Sequence, residues 1–173
     1  NDTLPAALAR LAPAERPQLT HQTGLAHIET VRESYRRADL LDDHHGHGGL
    51  VPELLPFIND MARRLAECDL VICRAGAVTV SELCAAGVAA VLVPLIVSTT
   101  SHQRDNAQWL ARHQAGIHLP QAELTPERLA DLLRHLDRTR LLQLAEQARA
   151  LAQPRSAARV ADEIESLVSK EMA

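Results

Sequence analysis

With 173 residues and 46% apolar side chains, the chain is long enough to bury one proper core. Its only aromatics are Tyr35, Phe57 and Trp109, and the net charge is −4. The core must therefore be Ala, Leu and Val, and a basic, base-stacking nucleic-acid surface is excluded.

No apolar run reaches the roughly 18 residues of a membrane span, and no signal peptide is visible. Cys68, Cys73 and Cys84 are odd in number and sit in apolar contexts, so they read as reduced core thiols of a cytosolic protein. The chain opens at Asn1 without an initiator Met, inside a helical pattern, and reads as a fragment. Residues 4–11 are Ala/Leu-rich and helical, with Asp2 or Thr3 as cap. A short strand over 17–23 ends at Gly24, and 27–37 is an amphipathic helix. The stretch 42–49, "DDHHGHGG", has no periodicity and reads as a loop. Strand and turn signals mix over 50–58, and a helix capped by Asn59 or Asp60 covers 61–67.

From here the pattern sharpens. Residues 69–73 and 89–96 are continuous apolar runs, as expected of buried parallel strands. Helices are expected over 79–86, closed by Gly87, and over 102–113, with a polar loop at 97–101 before the second. After a short strand at 117–120, helices cover 125–136, 140–152 and 156–169, the first with Pro126 at its opening position after a Thr125 cap. The alternation predicts an α/β fold: a Rossmann-like parallel sheet with flanking helices and a helical tail from about residue 125.

The stretch from Cys73 to Glu82, "CRAGAVTVSE", is a strand end, a turn of small residues and a helix start. In open parallel sheets ligands bind at such places. Gly76 permits a close backbone approach or a positive φ, and the first free amides of the helix favour a phosphate. The same residues also satisfy a capping box, Thr79 to Glu82, which needs no ligand. The next strand end leads into "SHQRDNA", where Gln103 and Asn106 share a helix face. Their amides suit the hydroxyls of a sugar, and an ordinary polar helix start explains them equally.

"NDTLP", "HQTG", "FINDM", "CRAGAVTVSE", "HQRDNA" and "LAEQARAL", in this order and spacing, resemble the C-terminal domain of MurG-type transferases. These move N-acetylglucosamine from UDP-GlcNAc onto lipid I to form lipid II. The resemblance implies the donor-binding half of a GT-B glycosyltransferase with its first strand and Gly-rich loop missing, a single partial domain over 1–173, and an absent N-terminal acceptor domain. It implies that the backbone of Ile58, near Met61, reads uracil, and that the turn Ala77, Val78, Thr79, with Val80 and Ser81, carries the pyrophosphate. Glu82 would bind the ribose, and Gln103, Asn106 and His102 the sugar. It implies no cofactor, no metal and no catalytic base within this chain. The partners it implies are UDP-GlcNAc and, through the missing domain, lipid I, at the cytoplasmic face of the bacterial inner membrane.

Glu82 cannot fully cap Thr79 and hold a ribose together, so a switch between the two states is one expectation. His44, His45 and His47 with Asp42 and Asp43 read as a solvated loop rather than a metal site. His27, His113, His118 and His135 read as surface residues, and Arg36, Arg37, Arg63 and Arg64 as solvated helix faces. The alternative function is a separate, non-catalytic nucleotide-sugar-binding subunit docking on a membrane partner. An epimerase of similar architecture would need a carboxylate in the sugar pocket, where Asp105 stands.

Overall fold

The computed structural model describes residues 1–41, 51–95 and 101–171; the histidine-rich loop and most of the 97–101 loop fall outside them. Five strands and eight α-helices alternate among the described residues: α1 (Thr3–Leu8), β1 (Thr20–Gln22), α2 (Ile28–Arg37), β2 (Glu53–Leu55), α3 (Met61–Glu67), β3 (Leu70–Cys73), α4 (Ala77–Ala86), β4 (Ala89–Leu92), α5 (His102–Arg112), β5 (Ile117–His118), α6 (Pro126–His135), α7 (Arg138–Ala150) and α8 (Ser156–Glu171).

All strand pairs are parallel. One sheet has the order β1-β2 and the other β3-β4-β5. Parallel strands joined by helices, with helices on both faces of β3-β4-β5, give the layered arrangement of a doubly wound α/β fold. A shared cluster joins the two parts: Ile72 of β3 packs with Leu54, Leu19 and Tyr35.

Strand β4 is buried along its whole length, whereas β3, equally apolar, is only half-buried. Side-chain alternation explains how β4 serves two layers. Ala90 and Leu92 face α4, α5 and α7 through Leu83, Leu110 and Ala148. Val91 and Val93 face the opposite layer, with Leu119, Leu132 of α6 and Leu136 just beyond it.

The caps show why the helices start where they do. Thr125 accepts from Arg128 N–H at 3.1 Å, as its sequence position predicts. Asp137 accepts from Arg140 N–H at 2.7 Å, which starts α7 at Arg138, two residues earlier than periodicity places it. Asp2 and Asp60 make no side-chain cap.

Three expectations are corrected. Cys68 is exposed, because it follows the last turn of α3 rather than lying in the core; Cys84 is buried and Cys73 half-buried. Arg64 is not a solvated face residue. Its guanidinium donates to Glu53 at 2.7 Å and to Thr20 at 3.1 Å, tying α3 to β1 and β2. His118 lies half-buried in β5, with its Nε2 buried and unpartnered among the described residues.

Candidate functional site

Every strand end of the parallel sheet opens on the same edge, and the candidate residues gather there. Strand β3 ends at Cys73, and α4 begins four residues later at Ala77, with Gly76 as its N-cap. The helix therefore starts two residues before the expected Thr79. Thr79 is its third residue, and the capping box does not form. The physical reason is the intrahelical bond from Val80 N–H to Gly76 carbonyl at 2.9 Å, which commits Ala77 to the first turn. Gly76 has φ −63° and ψ 149°, so it supplies room rather than a left-handed backbone.

This start leaves the amides of Ala77, Val78 and Thr79 without helical acceptors, and no side chain caps them. They carry the positive end of the helix dipole. Ala77 and Val78 are exposed. Val80 differs from its neighbours: its side chain is in the core and its N–H is spent inside the helix. The Ser81 hydroxyl donates to Ala77 carbonyl at 3.0 Å. Glu82 stands one turn beyond Val78 on the exposed face and makes no hydrogen bond or ion pair among the described residues. With no cap to make, it has no cap to release, and the expected switch of Glu82 between two states is overturned.

Two amides are half-committed to backbone. Gln103 Oε1 accepts from Leu95 N–H at 2.9 Å, which leaves its NH₂ without a partner among the described residues. Asn106 Nδ2 donates to Ala75 carbonyl at 2.9 Å, which leaves its Oδ1 as the free acceptor. Each bond ties α5 to a strand-end loop, so a donor and an acceptor are presented side by side from one helix face. His102, at the first position of α5, is exposed. Asp105 is held by Ser101 Oγ at 2.6 Å, an N-terminal helix contact rather than a carboxylate free for acid–base work. Arg74 spans the edge, donating to Val93 carbonyl at 3.1 Å and Gln121 Oε1 at 2.7 Å.

At the other sheet, Ile58 N–H donates to Gln22 Oε1 at 3.1 Å, and Met61 opens α3 three residues on. Gln22 is a residue that sequence reasoning missed as an individual contributor; its position at a strand end before Thr23-Gly24 was the available signal. Thr23 is buried, its hydroxyl donating to Gly24 and Leu55 carbonyls at 3.1 and 3.2 Å. Beneath it, His21 Nε2 lies 3.1 Å from Asn1 Oδ1, and Asn1 Nδ2 donates to Thr23 carbonyl. Nε2 is thus the protonated nitrogen, and Nδ1 accepts from the buried Tyr35 hydroxyl at 3.1 Å. Burial, aided by the charge of the chain's amino terminus, pulls the His21 pKa down to about 4; burial pushes the Tyr35 phenol up.

Parallel sheets with flanking helices, an uncapped helix N-terminus at one strand end and oriented amides at the next place the chain in the Rossmann-like α/β class. Residues 1–164 match the model of the glycosyltransferase family 28 C-terminal domain. The chain belongs to that family. It is 65% identical over 171 residues to a Methylibium petroleiphilum protein and 59% identical over 170 residues to one from Chromobacterium violaceum. Both carry the name UDP-N-acetylglucosamine--N-acetylmuramyl-(pentapeptide) pyrophosphoryl-undecaprenol N-acetylglucosamine transferase. The alignments cover 99% and 98% of this chain but 44% and 45% of those relatives, so the chain spans less than half of their length. The crystal structure of Acinetobacter baumannii MurG superposes with a TM-score of 0.82 at 39% identity, over 94% of this chain and 46% of that one. The expected fold, a Rossmann-like C-terminal half of a GT-B glycosyltransferase, is therefore the observed one.

Proposed function

We propose that the protein carrying this chain transfers N-acetylglucosamine from UDP-GlcNAc to lipid I, forming lipid II of peptidoglycan, and that this chain holds the donor. One observation carries the reading: the uncapped start of α4, with the Ala77, Val78 and Thr79 amides unpaired in the helix and Glu82 unengaged one turn on. The amides bind the diphosphate, and Glu82 accepts from the ribose hydroxyls. Ser81 lines the same turn, and Val80, with its N–H and side chain both spent in the fold, holds that turn in place. Gln103 NH₂ and Asn106 Oδ1, with His102, hold the sugar hydroxyls. The backbone of Ile58, beside Met61, reads the uracil edge.

The reaction is a single inverting displacement. The acceptor hydroxyl attacks the anomeric carbon, and UDP leaves with negative charge building on its β-phosphate. The α4 N-terminus, already oriented, stabilises that charge, the largest kind of catalytic term available to this domain. Glu82 acts as a binder. The general base and the lipid I contacts belong to the remaining part of the relatives' length. The acceptor named for the relatives is linked to undecaprenol; on the proposed reading the protein works at the cytoplasmic face of the bacterial inner membrane, peripheral to it. No helix among the described residues is long and apolar enough to cross a membrane.

Trp109 lies one turn past Asn106, exposed, with its ring tilted 46° against that of His113 and the centroids 4.6 Å apart. Its fluorescence should change on titration with UDP-GlcNAc, less with UDP-glucose and least with ADP-glucose. Equal responses to all three would overturn the donor assignment.

A further inference from the structure

We propose that Gln22 is a placeholder for the nucleobase: without ligand its carboxamide occupies the Ile58 N–H, and a base binds by displacing it. The inference rests on the reading that the Ile58 backbone recognises uracil.

The geometry comes first. Gln22 is the last residue of β1, in register with Leu55 of β2. Thr23 N–H donates to Leu55 carbonyl at 2.9 Å, so the two strand ends stay locked together. The chain leaving β2 folds back over the end of β1, and Ile58 N–H meets Gln22 Oε1 at 3.1 Å. Ile58 lies in neither strand nor helix, so no ladder uses its N–H.

The chemistry follows. A carboxamide, O=C–N–H, sets an acceptor beside a donor. The uracil edge, O4=C4–N3–H, sets the same pair in the same order. Among the described residues the acceptor half of that pair is engaged: Gln22 Oε1 takes the Ile58 N–H, the place that uracil O4 would take. Cytosine reverses the order, with an amino donor beside a ring acceptor, and adenine does the same. Gln22 is thus an internal mimic of the base that the loop selects. It keeps the Ile58 N–H satisfied and its loop in place before a base arrives, and it competes with the ligand. A purely structural strut would act in the opposite sense, since its loss would loosen the loop and weaken binding.

The test is calorimetric titration of the protein with UDP, CDP, uridine and pyrophosphate, in the wild type, Gln22→Ala and Gln22→Glu. Loss of one neutral hydrogen-bonding competitor should tighten UDP and uridine binding by about 2- to 10-fold in Gln22→Ala. Pyrophosphate affinity should not move. Gln22→Glu, a stronger acceptor for the same N–H, should weaken uridine as well as UDP. Unchanged or weaker UDP binding in Gln22→Ala, with the preference for UDP over CDP intact, would overturn the placeholder and leave base reading standing. Equal wild-type affinity for UDP and CDP would remove base reading itself, and the placeholder with it. Should Gln22→Ala fail to fold, the wild-type side-chain amide resonances of Gln22 decide. They should shift towards solvent values on saturation with uridine, and unmoved resonances would overturn the proposal.

Discussion

At Gly76, φ is −63°, and a methyl group added there would meet only Thr79 Oγ1, at 3.7 Å, an ordinary contact. Nothing in the fold itself demands a glycine. If a diphosphate lies over the Ala77–Thr79 turn, the missing Cβ is what lets it approach. Gly76→Ala should therefore cost at most about 1 kcal/mol of stability, the difference between glycine and alanine at an N-cap. It should weaken UDP by about 10-fold or more, a clash effect separable from stability by running thermal denaturation beside calorimetry. Glu82→Ala is the companion test. Charge-assisted hydrogen bonds contribute roughly 1.5–3 kcal/mol, so UDP binding should fall about 10- to 100-fold with Tm unchanged. Unaltered nucleotide affinity in Glu82→Ala would remove its ribose role, and a lowered Tm would show a structural one.

At the scale of elements, β1 and α2 are joined by His21 and Tyr35 through a bond that a proton can break. Neutral His21 accepts from the Tyr35 hydroxyl on Nδ1 and donates from Nε2 to Asn1. A second proton would have to sit on Nδ1, against the phenol, in a part-buried place. The folded ring has its pKa at about 4, against the ordinary histidine value of 6.5, so between these the unfolded chain binds more protons. The stability this group contributes is fully present above pH 6.5 and is lost as pH falls to about 4. The loss should be on the order of 2 kcal/mol after solvent screening of a part-exposed ring. Urea denaturation across that range should show it, and His21→Gln should flatten the slope. An equally steep slope in His21→Gln would assign the acid sensitivity elsewhere. The helices at the other end follow simpler rules: Thr125 and Asp137 each cap the helix that follows by accepting one backbone N–H.

Across the whole molecule, the strands of the described residues fall into two parallel sheets, β1-β2 and β3-β4-β5, with β1 and β3 each paired on one side there. Strand β4 is paired on both sides and buried throughout; β3 is paired on one side and half-buried. Backbone amides of β3 should exchange with deuterium markedly faster than those of β4, and mass-resolved hydrogen exchange reads this directly. Equal protection of the two strands would mean that something covers the β3 edge. Helix α8 leaves Val160, Ile164, Leu167 and Val168 exposed along one stripe.

Local spacing was enough to read the layers and the strand ends that carry the candidate site. Apolar runs gave β3 and β4, the small-residue turn after Cys73 announced a helix start at a strand end, and the Thr125-Pro126 pair placed α6. Contacts between distant residues were beyond such reading. The bond from Ile58 to Gln22 joins positions 36 apart in sequence, and that from Asn106 to Ala75 joins positions 31 apart. Neither leaves a periodic trace. Which end of each amide is spent on backbone, whether Glu82 caps or stands free, and how Arg64 is spent were settled only when parallel strands brought their carboxyl ends to one edge. Short-range sterics and alternation act along the chain and are written in it; hydrogen-bond partners are chosen among groups that only the folded sheet makes neighbours.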